Sequence, residues 1–379
     1  NLNFLATCPK GLEKILIDEL TKLRANKISQ TDGGVGFSGN LELLYKVNLT
    51  SRIATRVFLK IKDGFYKKEE DLYKATFFCE WKNWFDVSQS IKVSTSAKYA
   101  PVKSIDFITL RVKDAICDYF RKKTNKRPNV EIRNPDIKIH IFLKKNQYAL
   151  YIDASGAPLY QRGYRTGSVK APIRENLAAG IIYLSGWTPG DVFLDPMCGS
   201  GTFLIEAALM VKNQAPGLNR DFGFMAWKNF DTILFKKIKK SYLDKIKPST
   251  FMNIYGSDKD LSAIRVSKKN LARADLDDCV KLNCTEFSML EAPDNSGVLI
   301  ANPPYGERIG ENEALNLEYP IWATHLKNNF FGWRTYFLTN DHKMPKLMRL
   351  SPSKKTPLYN GALDCRLFEI QIVSGSNRK

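Results

Sequence analysis

The stretch Val298-Leu299-Ile300-Ala301-Asn302-Pro303-Pro304-Tyr305 decides the fold. An apolar, β-branched run that ends in a polar and rigid tetrapeptide is typical of a buried parallel strand, and open α/β sheets bind ligands at the carboxyl ends of such strands. The two prolines restrict φ, so we expect the Asn302 side chain and the Pro303 carbonyl in a preset arrangement. Two oxygen acceptors beside the flat ring of Tyr305 suit an exocyclic amino group on an aromatic ring.

A second informative stretch, residues 191–202, has the pattern of a strand, a glycine-containing loop and the start of a helix. Gly199 and Gly201 allow the backbone to approach a ligand closely, and the N–H groups at a helix start can donate to it. The loop lacks the third glycine of a dinucleotide fingerprint and the Gly-Lys-Ser/Thr of a phosphate loop, so we expect neither a dinucleotide nor a triphosphate. Taken alone, Gly-x-Gly is equally typical of a tight strand-to-helix turn.

A third stretch, Gly256-Ser257-Asp258-Lys259-Asp260, follows the next predicted strand. A carboxylate at the end of this strand can accept hydrogen bonds from both hydroxyl groups of a ribose, and Asp258 is the residue we expect to do so. The alternative role is an N-cap for the helix that follows, which fits Asp260 better. The two roles can coexist.

The order of the predicted elements indicates how the chain is organised. Strands and helices alternate from about residue 192 to residue 338, as a parallel sheet requires, and Asn360-Gly361 between two strand-like runs predicts a closing antiparallel hairpin. Residues 1–155 also alternate strands and helices but contain no phosphate loop, which indicates a binding module. An insertion at about 212–250 carries a lysine-rich run that predicts a solvated helix face.

The charge of the chain indicates a polyanionic partner. The 379 residues carry a formal net charge of +19; residues 1–155 hold 28 Lys and Arg against 17 Asp and Glu (+11), and the remainder holds 30 against 22 (+8). A nucleic-acid footprint across both halves fits this distribution, although a high lysine content also keeps proteins soluble. The basic loop from Lys122 to Pro128 is either a solvated surface or a phosphate contact.

Several classes of protein do not fit the sequence. Seven cysteines without a Cys-x-x-Cys pair, and only three histidines, support neither a zinc site nor a disulfide framework. No stretch has the pattern of a signal peptide or of a membrane span, so we expect a soluble, cytoplasmic protein without a metal. Because the sequence begins with Asn1 rather than methionine, we expect that it has been trimmed.

The three stretches together resemble the class I S-adenosylmethionine-dependent methyltransferases that modify amino nitrogens, in which Asn-Pro-Pro-aromatic marks transfer to guanine N2 or adenine N6. The resemblance narrows to the bacterial 23S rRNA guanine-N2 methyltransferases that carry a THUMP domain. The resemblance covers nearly the whole chain, because the stretches that carry it are distributed along it: residues 33–37, 51–56, 112–116, 127–130, 162–165, Lys170-Ala171 through Ala179, 195–202 and 302–308.

The resemblance implies a fold and a division into domains. The expected fold is α/β: a class I, Rossmann-like methyltransferase with a parallel sheet and a C-terminal antiparallel hairpin, preceded by an α+β THUMP-type RNA-binding module. The implied domains are a small ferredoxin-like α/β subdomain at 1–44, the THUMP domain at 45–155, a connector with a cofactor-site helix at 156–188, and the methyltransferase domain at 189–379. Some family members are fusions with a second methyltransferase; the given sequence ends at Lys379, so we expect that a second activity is either absent or was cut away.

The resemblance also implies an activity and its residues. The expected reaction is methyl transfer from S-adenosylmethionine to guanine N2 in 23S rRNA, of the guanine(2445)-N(2) type, on the RNA or on a large-subunit precursor. The implied catalytic residues are Asn302, Pro303 and Tyr305. The implied cofactor-binding residues are Glu175, Asp195, Pro196, Cys198, Gly199, Gly201, Thr202, Asp258, Glu286 and Asn302, where Glu286 replaces an aspartate that is frequent in the family. The implied RNA-binding residues are Lys113, Lys126, Arg127, Arg162 and Arg165.

Three other functions stay open at the level of the sequence. A tRNA guanine-N2 methyltransferase also carries a THUMP-like module. A DNA adenine-N6 methyltransferase shares Asn-Pro-Pro-Tyr, but it normally needs a target-recognition domain for duplex DNA, which is not recognisable here. A non-catalytic RNA-binding assembly factor would keep the cofactor fold, although the intact set of Asp195, Gly199, Gly201, Asn302 and Tyr305 argues against a decayed site.

Overall fold

The structure is a computed structural model that describes residues 1–165, 172–248, 250–305 and 311–373. Lys170, Ala171 and residues 306–308, which carry part of the family resemblance, lie outside these ranges. The described chain forms two seven-stranded sheets, one in the first half and one in the second.

The first sheet has the strand order β2-β3-β1-β4-β7-β6-β5. Its strands are β1 (Leu2–Thr7), β2 (Asn26–Thr31), β3 (Gly34–Gly39), β4 (Arg56–Phe65), β5 (Ile91–Lys98), β6 (Ile137–Lys144) and β7 (Gln147–Asp153). Its helices are α1 (Glu13–Lys22), α2 (Leu41–Thr50), α3 (Glu69–Phe77) and α4 (Ile105–Thr124). Only the β5–β6 pair of this sheet is parallel.

Strand β6 shows why one face of the first sheet is covered and the other is not. Ile137, Ile139, Ile141 and Leu143 are buried, whereas the residues between them are partly exposed. This period of two places the branched apolar side chains on one face of the sheet.

Strands of the predicted domains 1–44 and 45–155 pair directly in this sheet, since β1 lies beside β4. Because one sheet spans both segments, it marks no boundary between them, and the boundary at residues 44 and 45 stays a prediction.

The second sheet has the order β10-β9-β8-β11-β12-β14-β13, with the first five strands parallel and the last two antiparallel. Its strands are β8 (Phe193–Asp195), β9 (Ile254–Asp258), β10 (Lys281–Cys284), β11 (Val298–Ala301), β12 (Arg334–Thr339), β13 (Lys354–Asn360) and β14 (Leu363–Gln371). The helices are α5 (Glu175–Leu184), α6 (Thr202–Val211), α7 (Thr232–Leu243), α8 (Leu261–Arg273), α9 (Glu311–Asn329) and α10 (Met344–Met348). The predicted parallel sheet and closing hairpin are confirmed.

Helices cover both faces of the second sheet. In β11, Val298 and Ile300 belong to the core shared with α5, α6 and α8, whereas Leu299 and Ala301 belong to the core formed with α9 and α10. A strand that is buried on both faces has a continuous apolar sequence, as β11 does.

The insertion contains α7, whose Phe235 and Ile238 are buried while Lys236 and Lys237 are exposed, so the predicted solvated helix face is confirmed.

The two halves pack tightly against each other. The Asn176 side chain of α5 donates to the Ile53 carbonyl (3.2 Å) and to Thr55 Oγ1 (2.9 Å) of the first half. Tyr45 of α2 lies in an aromatic cluster with Phe224 and Phe235 of the second half. One continuous hydrophobic core thus runs through both halves. None of the described helices combines the length and the apolar character that a membrane span requires.

Candidate active site

The candidate site lies where strand order reverses in the second sheet. β8 and β11 are parallel neighbours, with Val298 beside Phe193 and Leu299 beside Leu194. The chain runs on from β8 toward α6 on one face and from β11 toward α9 on the other. In open α/β sheets the crevice at such a switch point binds ligands. Asp195 at the end of β8 and Asn302 just after β11 therefore meet at the same carboxyl edge.

The loop between β8 and α6 is held by backbone and hydroxyl contacts. The Cys198 N–H donates to the Ser257 carbonyl (2.8 Å), and the Gly201 N–H donates to the Cys198 carbonyl (2.7 Å). Ser267 Oγ of α8 donates to the Gly199 carbonyl (2.7 Å). Gly199 (φ +54°) and Gly201 (φ +79°) adopt left-handed conformations that favour glycine. The loop is a rigid platform, and Pro196 and Cys198 are buried parts of its support.

Asp258 lies at the end of β9, beside this loop. Its Oδ2 accepts from the Gly199 N–H (2.9 Å) and its Oδ1 from the Asp260 N–H (2.9 Å). Each carboxylate oxygen can accept a second hydrogen bond, so the side chain can still bind two hydroxyl groups. Asp260 caps α8 instead, since its Oδ1 accepts from the Ser262 N–H (2.7 Å). The structure thus gives the N-cap role to Asp260, and the ribose contact of Asp258 stays a prediction.

Asp195 is buried at the bottom of the crevice. Its Oδ1 accepts from the Met197 N–H (3.1 Å), which orients the first turn of the loop. Burial raises the pKa of the Asp195 carboxyl well above its usual value, and the nearby charge of Asp258 raises it further. A carboxyl group with a raised pKa at the carboxyl edge of the sheet is typical of a functional site.

Asn302 is part of a chain of three polar side chains. The Tyr305 hydroxyl donates to Asn302 Oδ1 (2.6 Å), and Asn360 Nδ2 donates to the Tyr305 hydroxyl (3.1 Å). The Tyr305 ring is only 7% exposed, and burial raises the pKa of its hydroxyl far above the usual value. Pro303 is buried and Pro304 is exposed. Asn302 itself is partly exposed, with its amide oxygen oriented by the tyrosine.

The buried position of Tyr305 differs from the stacking platform that the sequence suggested. In the described conformation the ring packs in the core and its hydroxyl contacts Asn302, so no open face is available to a base. Asn360 was not predicted to belong to the site, because Asn-Gly in a hairpin indicates a turn and not a partner for a residue far along the chain.

Arg165, Glu175 and Thr202 meet beside the loop. Arg165 Nε donates to Glu175 Oε1 (3.2 Å), and its Nη2 donates to Thr202 Oγ1 (3.2 Å). Burial raises the pKa of Glu175, and the charge of Arg165 opposes that shift. The structure therefore places Arg165, which was expected to contact RNA, with two residues that were expected to contact the cofactor.

Glu286 lies at the edge of the same crevice. It follows β10, where the Thr285 N–H donates to the Asp258 carbonyl (3.1 Å), and its side chain is exposed. This position, one strand beyond Asp258, leaves the carboxylate accessible to a ligand that lies along the carboxyl edge. Its contact with an adenine amine stays a prediction.

The remaining residues expected to bind RNA divide into two groups. Lys126 and Arg127 are exposed just after α4, and Lys113 on α4 is paired with Asp114 (2.8 Å). Arg162 is buried: it donates to the carbonyls of Leu159 (2.5 Å) and Arg52 (2.7 Å), and its Nε lies 3.6 Å from Glu206 Oε1. The burial of Arg162 argues against a contact with RNA at that position.

No metal centre is recognisable in the part of the chain that the structure describes, since no three His, Cys, Asp or Glu side chains there converge in a way that could hold an ion.

Comparison with known proteins places this site in a family. A family model described as the RMKL-like methyltransferase domain matches residues 162–369, a THUMP domain model matches 66–153, and a model of the RlmL ferredoxin-like domain matches 3–58. A ribosomal RNA large subunit methyltransferase K/L from Cellvibrio japonicus is 37% identical over an aligned length of 382 positions, which covers 97% of this chain and 51% of that protein. The chain spans about half the length of the curated relatives it matches.

Solved structures agree over the whole chain. A putative methyltransferase complexed with SAH is 32% identical with a TM-score of 0.90, and the match covers 100% of this chain and 99% of that one. A predicted N6-adenine-specific DNA methylase from Listeria monocytogenes is 29% identical with a TM-score of 0.89, covering 97% and 96%. These matches confirm the class I methyltransferase fold, the THUMP module and S-adenosylmethionine as the cofactor of the family. The chain belongs to the RMKL-like family of methyltransferases.

Proposed function

We propose that the chain transfers the methyl group of S-adenosylmethionine to N2 of a guanosine in 23S ribosomal RNA. The observation that carries this proposal is Asn302, whose amide lies at the carboxyl edge of β11, next to the loop after β8, with its oxygen oriented by Tyr305. An amide oxygen at this place can accept a hydrogen of an exocyclic amine while the adjoining crevice holds the methyl donor.

The residues at the carboxyl edge fit the cofactor. The left-handed glycines 199 and 201 leave the loop without side chains where a ligand approaches, and the start of α6 directs N–H groups toward it. Asp258 has the remaining acceptor capacity for the two ribose hydroxyls, and exposed Glu286 would accept from the adenine amine. When bound, S-adenosylmethionine supplies an electrophilic methyl group on its sulfonium sulfur.

The proposed catalytic role of the chain is to align the guanine amine with the methyl group. Asn302 Oδ1 accepts one hydrogen of the guanine amine and the Pro303 carbonyl accepts the other, which directs the nitrogen lone pair toward the methyl group. Correct placement of two reacting groups can lower a barrier by about 7–11 kcal/mol. The N–C bond forms as the S–C bond breaks, and the nitrogen then releases one proton to water. This sequence requires no strong base.

The RNA assignment rests on charge, on the THUMP module and on relatives. The net charge of +19 and the matched THUMP domain support a polyanionic RNA substrate, and the Cellvibrio relative is named for large-subunit ribosomal RNA. A guanine in a helix must leave its stack to reach Asn302, at a cost of a few kcal/mol. The base-stacking role of Tyr305 belongs to this proposal, and it requires that the ring leave its buried position.

One experiment tests the proposal against its rivals. The purified chain would be incubated with labelled S-adenosylmethionine and, in parallel, with 23S rRNA from cells that lack the gene, with tRNA and with duplex DNA. We expect N2-methylguanosine in 23S rRNA, and mass mapping would show whether it is of the guanine(2445)-N(2) type. N6-methyladenine in DNA or N2-methylguanosine in tRNA alone would replace the proposal with the corresponding rival. RNA binding without transfer would indicate an assembly factor.

The role of Asn302 is tested in the same assay. Asn302→Ala removes the amide acceptor, so we expect loss of methyl transfer with cofactor affinity near that of the unchanged chain. Asp258→Ala should instead weaken cofactor binding in calorimetry, because two ribose hydrogen bonds are lost. Full turnover by Asn302→Ala would move the catalytic role elsewhere.

A further inference from the structure

Lysines converge at one end of the first sheet. Lys98 ends β5 and lies beside Lys144 of β6 in the parallel register. The Lys145 N–H donates to the Lys98 carbonyl (3.1 Å), so the turn after β6 is fixed to the end of β5. Tyr99 follows, with its ring 5.7 Å from Lys98 Nζ. Three lysines and one tyrosine thus share a single surface.

Tyr99 has an unusual conformation for its residue type. It is 79% exposed, and its φ is +55°. A left-handed backbone conformation at a bulky residue costs about 1–2 kcal/mol of conformational free energy. Because the ring of Tyr99 is exposed, its burial does not offset this cost. Strained and exposed residues of this kind are frequent where a protein binds a ligand.

Asp32 joins this surface to α1. Lys98 Nζ lies 2.6 Å from Asp32 Oδ2, and Lys10 Nζ lies 3.3 Å from Asp32 Oδ1. The three side chains are between 43% and 57% exposed. Two ammonium groups on the two oxygens of one carboxylate have the spacing that two oxygens of a phosphate would also accept. In the described structure Asp32 is the anion that this solvent-accessible pair holds, and a phosphate would have to take its place.

Lys10 connects the surface to strand β13, which also carries Asn360. Its Nζ lies 5.7 Å above the ring of Tyr359 in β13. The next residue, Asn360, donates to the Tyr305 hydroxyl, which in turn donates to Asn302. The start of α1 is packed against β13, since a side chain at Gly11 would lie 2.6 Å from the Pro357 carbonyl. The first half of the chain thus packs directly against the β13–β14 hairpin.

We propose that these residues form a track for a single-stranded segment of the RNA substrate that leads its target base to Asn302. The track consists of Lys10, Lys98, Tyr99, Lys144, Lys145 and Tyr359. Lysines along a path bind successive phosphates, and tyrosine rings stack on bases without regard to sequence, which is the pattern of single-strand binding. The inference rests on the proposed function, to which it adds the route of the substrate.

The track differs from the RNA contacts that the sequence suggested. Lys126 and Arg127 follow α4, whereas Lys98 and Tyr99 precede it. The 20 residues of α4 span about 30 Å, so the two basic surfaces lie at opposite ends of this helix. The hairpin residue Tyr359 lies next to the track, with its ring 5.7 Å from Lys10 Nζ.

Binding of a fluorescent single-stranded oligoribonucleotide, followed by anisotropy over a range of salt concentrations, tests the track. We expect Lys10→Ala with Lys98→Ala to lower the slope of log K against log salt by about 1.4, which is two single-strand phosphate contacts. Tyr99→Ala should weaken binding by about tenfold through the loss of one stacked base. The matched controls are Lys236→Ala with Lys237→Ala on exposed α7, and Phe78→Ala at a ring that is 71% exposed.

The outcomes separate the track from the proposed function. If the track variants bind RNA as tightly and with the same salt slope as the unchanged chain, the track is wrong, whatever the methylation assay shows. If they bind as weakly as expected while the unchanged chain methylates no RNA, the track stands and the proposed function fails. Equal losses in the control variants would show that charge alone accounts for binding, which also overturns the track.

Discussion

At the scale of single residues, Tyr305 is the position where the structure changes the mechanism most. Its hydroxyl lies between Asn360 Nδ2 and Asn302 Oδ1, so its single proton is directed to the amide oxygen that would receive the guanine amine. An amide oxygen can accept two hydrogen bonds, and the tyrosine uses one of them. The hydroxyl group thus positions Asn302 before the substrate binds.

This arrangement predicts a role for the hydroxyl apart from the ring. Tyr305→Phe keeps the aromatic ring and removes both hydrogen bonds of the hydroxyl. The bond to Asn302, worth about 1 kcal/mol, orients the acceptor, so kcat should fall by about fivefold to tenfold while cofactor affinity is kept. Steady-state methylation kinetics and calorimetry would measure the two quantities. If base stacking is the sole role, Tyr305→Phe should keep full activity and only Tyr305→Ala should lose it.

Asn360 supplies the matched test of the same chain. Asn360→Ala should lower kcat by a similar factor, because the hydroxyl loses the donor that orients it. The double variant with Tyr305→Phe should be no worse than Tyr305→Phe alone, since both changes remove one function. Additive losses would show that the two residues act independently.

The buried carboxyl of Asp195 predicts a dependence of stability on pH. Burial and the charge of Asp258 raise its pKa in the folded state above the unfolded value of about 3.9. The contribution of such a group is fully present below the unfolded pKa and is lost as pH rises toward the folded pKa. Asn cannot ionise, so the Asp195→Asn variant does not lose this contribution. The free energy of unfolding of the variant minus that of the unchanged chain should therefore increase as pH rises above about 4.

Urea unfolding at a series of pH values would measure this difference. The control is Asp260→Asn, since hydrogen bonds from Ser262 lower the pKa of that exposed carboxyl. Its contribution is present above the unfolded pKa, so this variant should lose stability relative to the unchanged chain over the same range. A difference for Asp195→Asn that stays constant with pH would contradict a raised pKa.

At the scale of elements, the loop between β8 and α6 depends on a left-handed glycine. Gly201 precedes α6 at φ +79°, and a Cβ there would lie 3.1 Å from Ser267 Oγ, the side chain that holds the loop. Gly201→Ala should therefore destabilise the fold by about 1–2 kcal/mol and also weaken cofactor binding. Thermal unfolding and calorimetry measure the two effects. Gly190→Ala is the matched control, because its φ is +116° and nothing lies within 4 Å of its added Cβ, so it should change stability alone.

The secondary-structure elements also show which parts of the fold local sequence patterns can predict. The continuous apolar runs of β8 and β11 and the Asn-Gly turn of the hairpin are local signals, and they predict the second sheet and the order of the loops at its edge. The contact between Asn360 and Tyr305 joins residues 55 positions apart. Because no local period or propensity encodes such a contact, the site's acceptors were predictable but its positioning chain was not.

Arg162 shows the same limit for charge. A cation in a turn-rich segment of a basic chain indicates a surface contact, yet its partner Glu206 lies in apolar helix α6 and is fully buried. Burial of a charge depends on where an opposite charge is brought by the fold. That information exists only once the two halves are packed together.

At the scale of the whole molecule, the front module and the methyltransferase half are one folding unit. Leu12 of α1 would collide with any side chain at Gly180 of α5, since its Cδ1 would lie 2.3 Å from an added Cβ. Deletion of residues 1–155 would expose the core that these helices share. Loss of activity on RNA in such a truncation would therefore report unfolding as well as recognition, and point substitutions in the RNA track are the sharper test.

The buried charges between the halves give the last prediction. Arg162 donates to the Arg52 carbonyl of the first half and pairs with Glu206 of the second, which also accepts from the Tyr164 hydroxyl (3.0 Å). Arg162→Ala leaves Glu206 as an unpaired buried charge, so the free energy of unfolding should fall by about 3–5 kcal/mol. Because both halves share the core, tryptophan fluorescence and far-UV circular dichroism should follow one urea transition. Arg162→Met with Glu206→Gln removes both charges of this pair and should recover most of the loss. A cost of less than about 1 kcal/mol for Arg162→Ala, or two separate transitions, would show that the halves are stabilised independently of this pair.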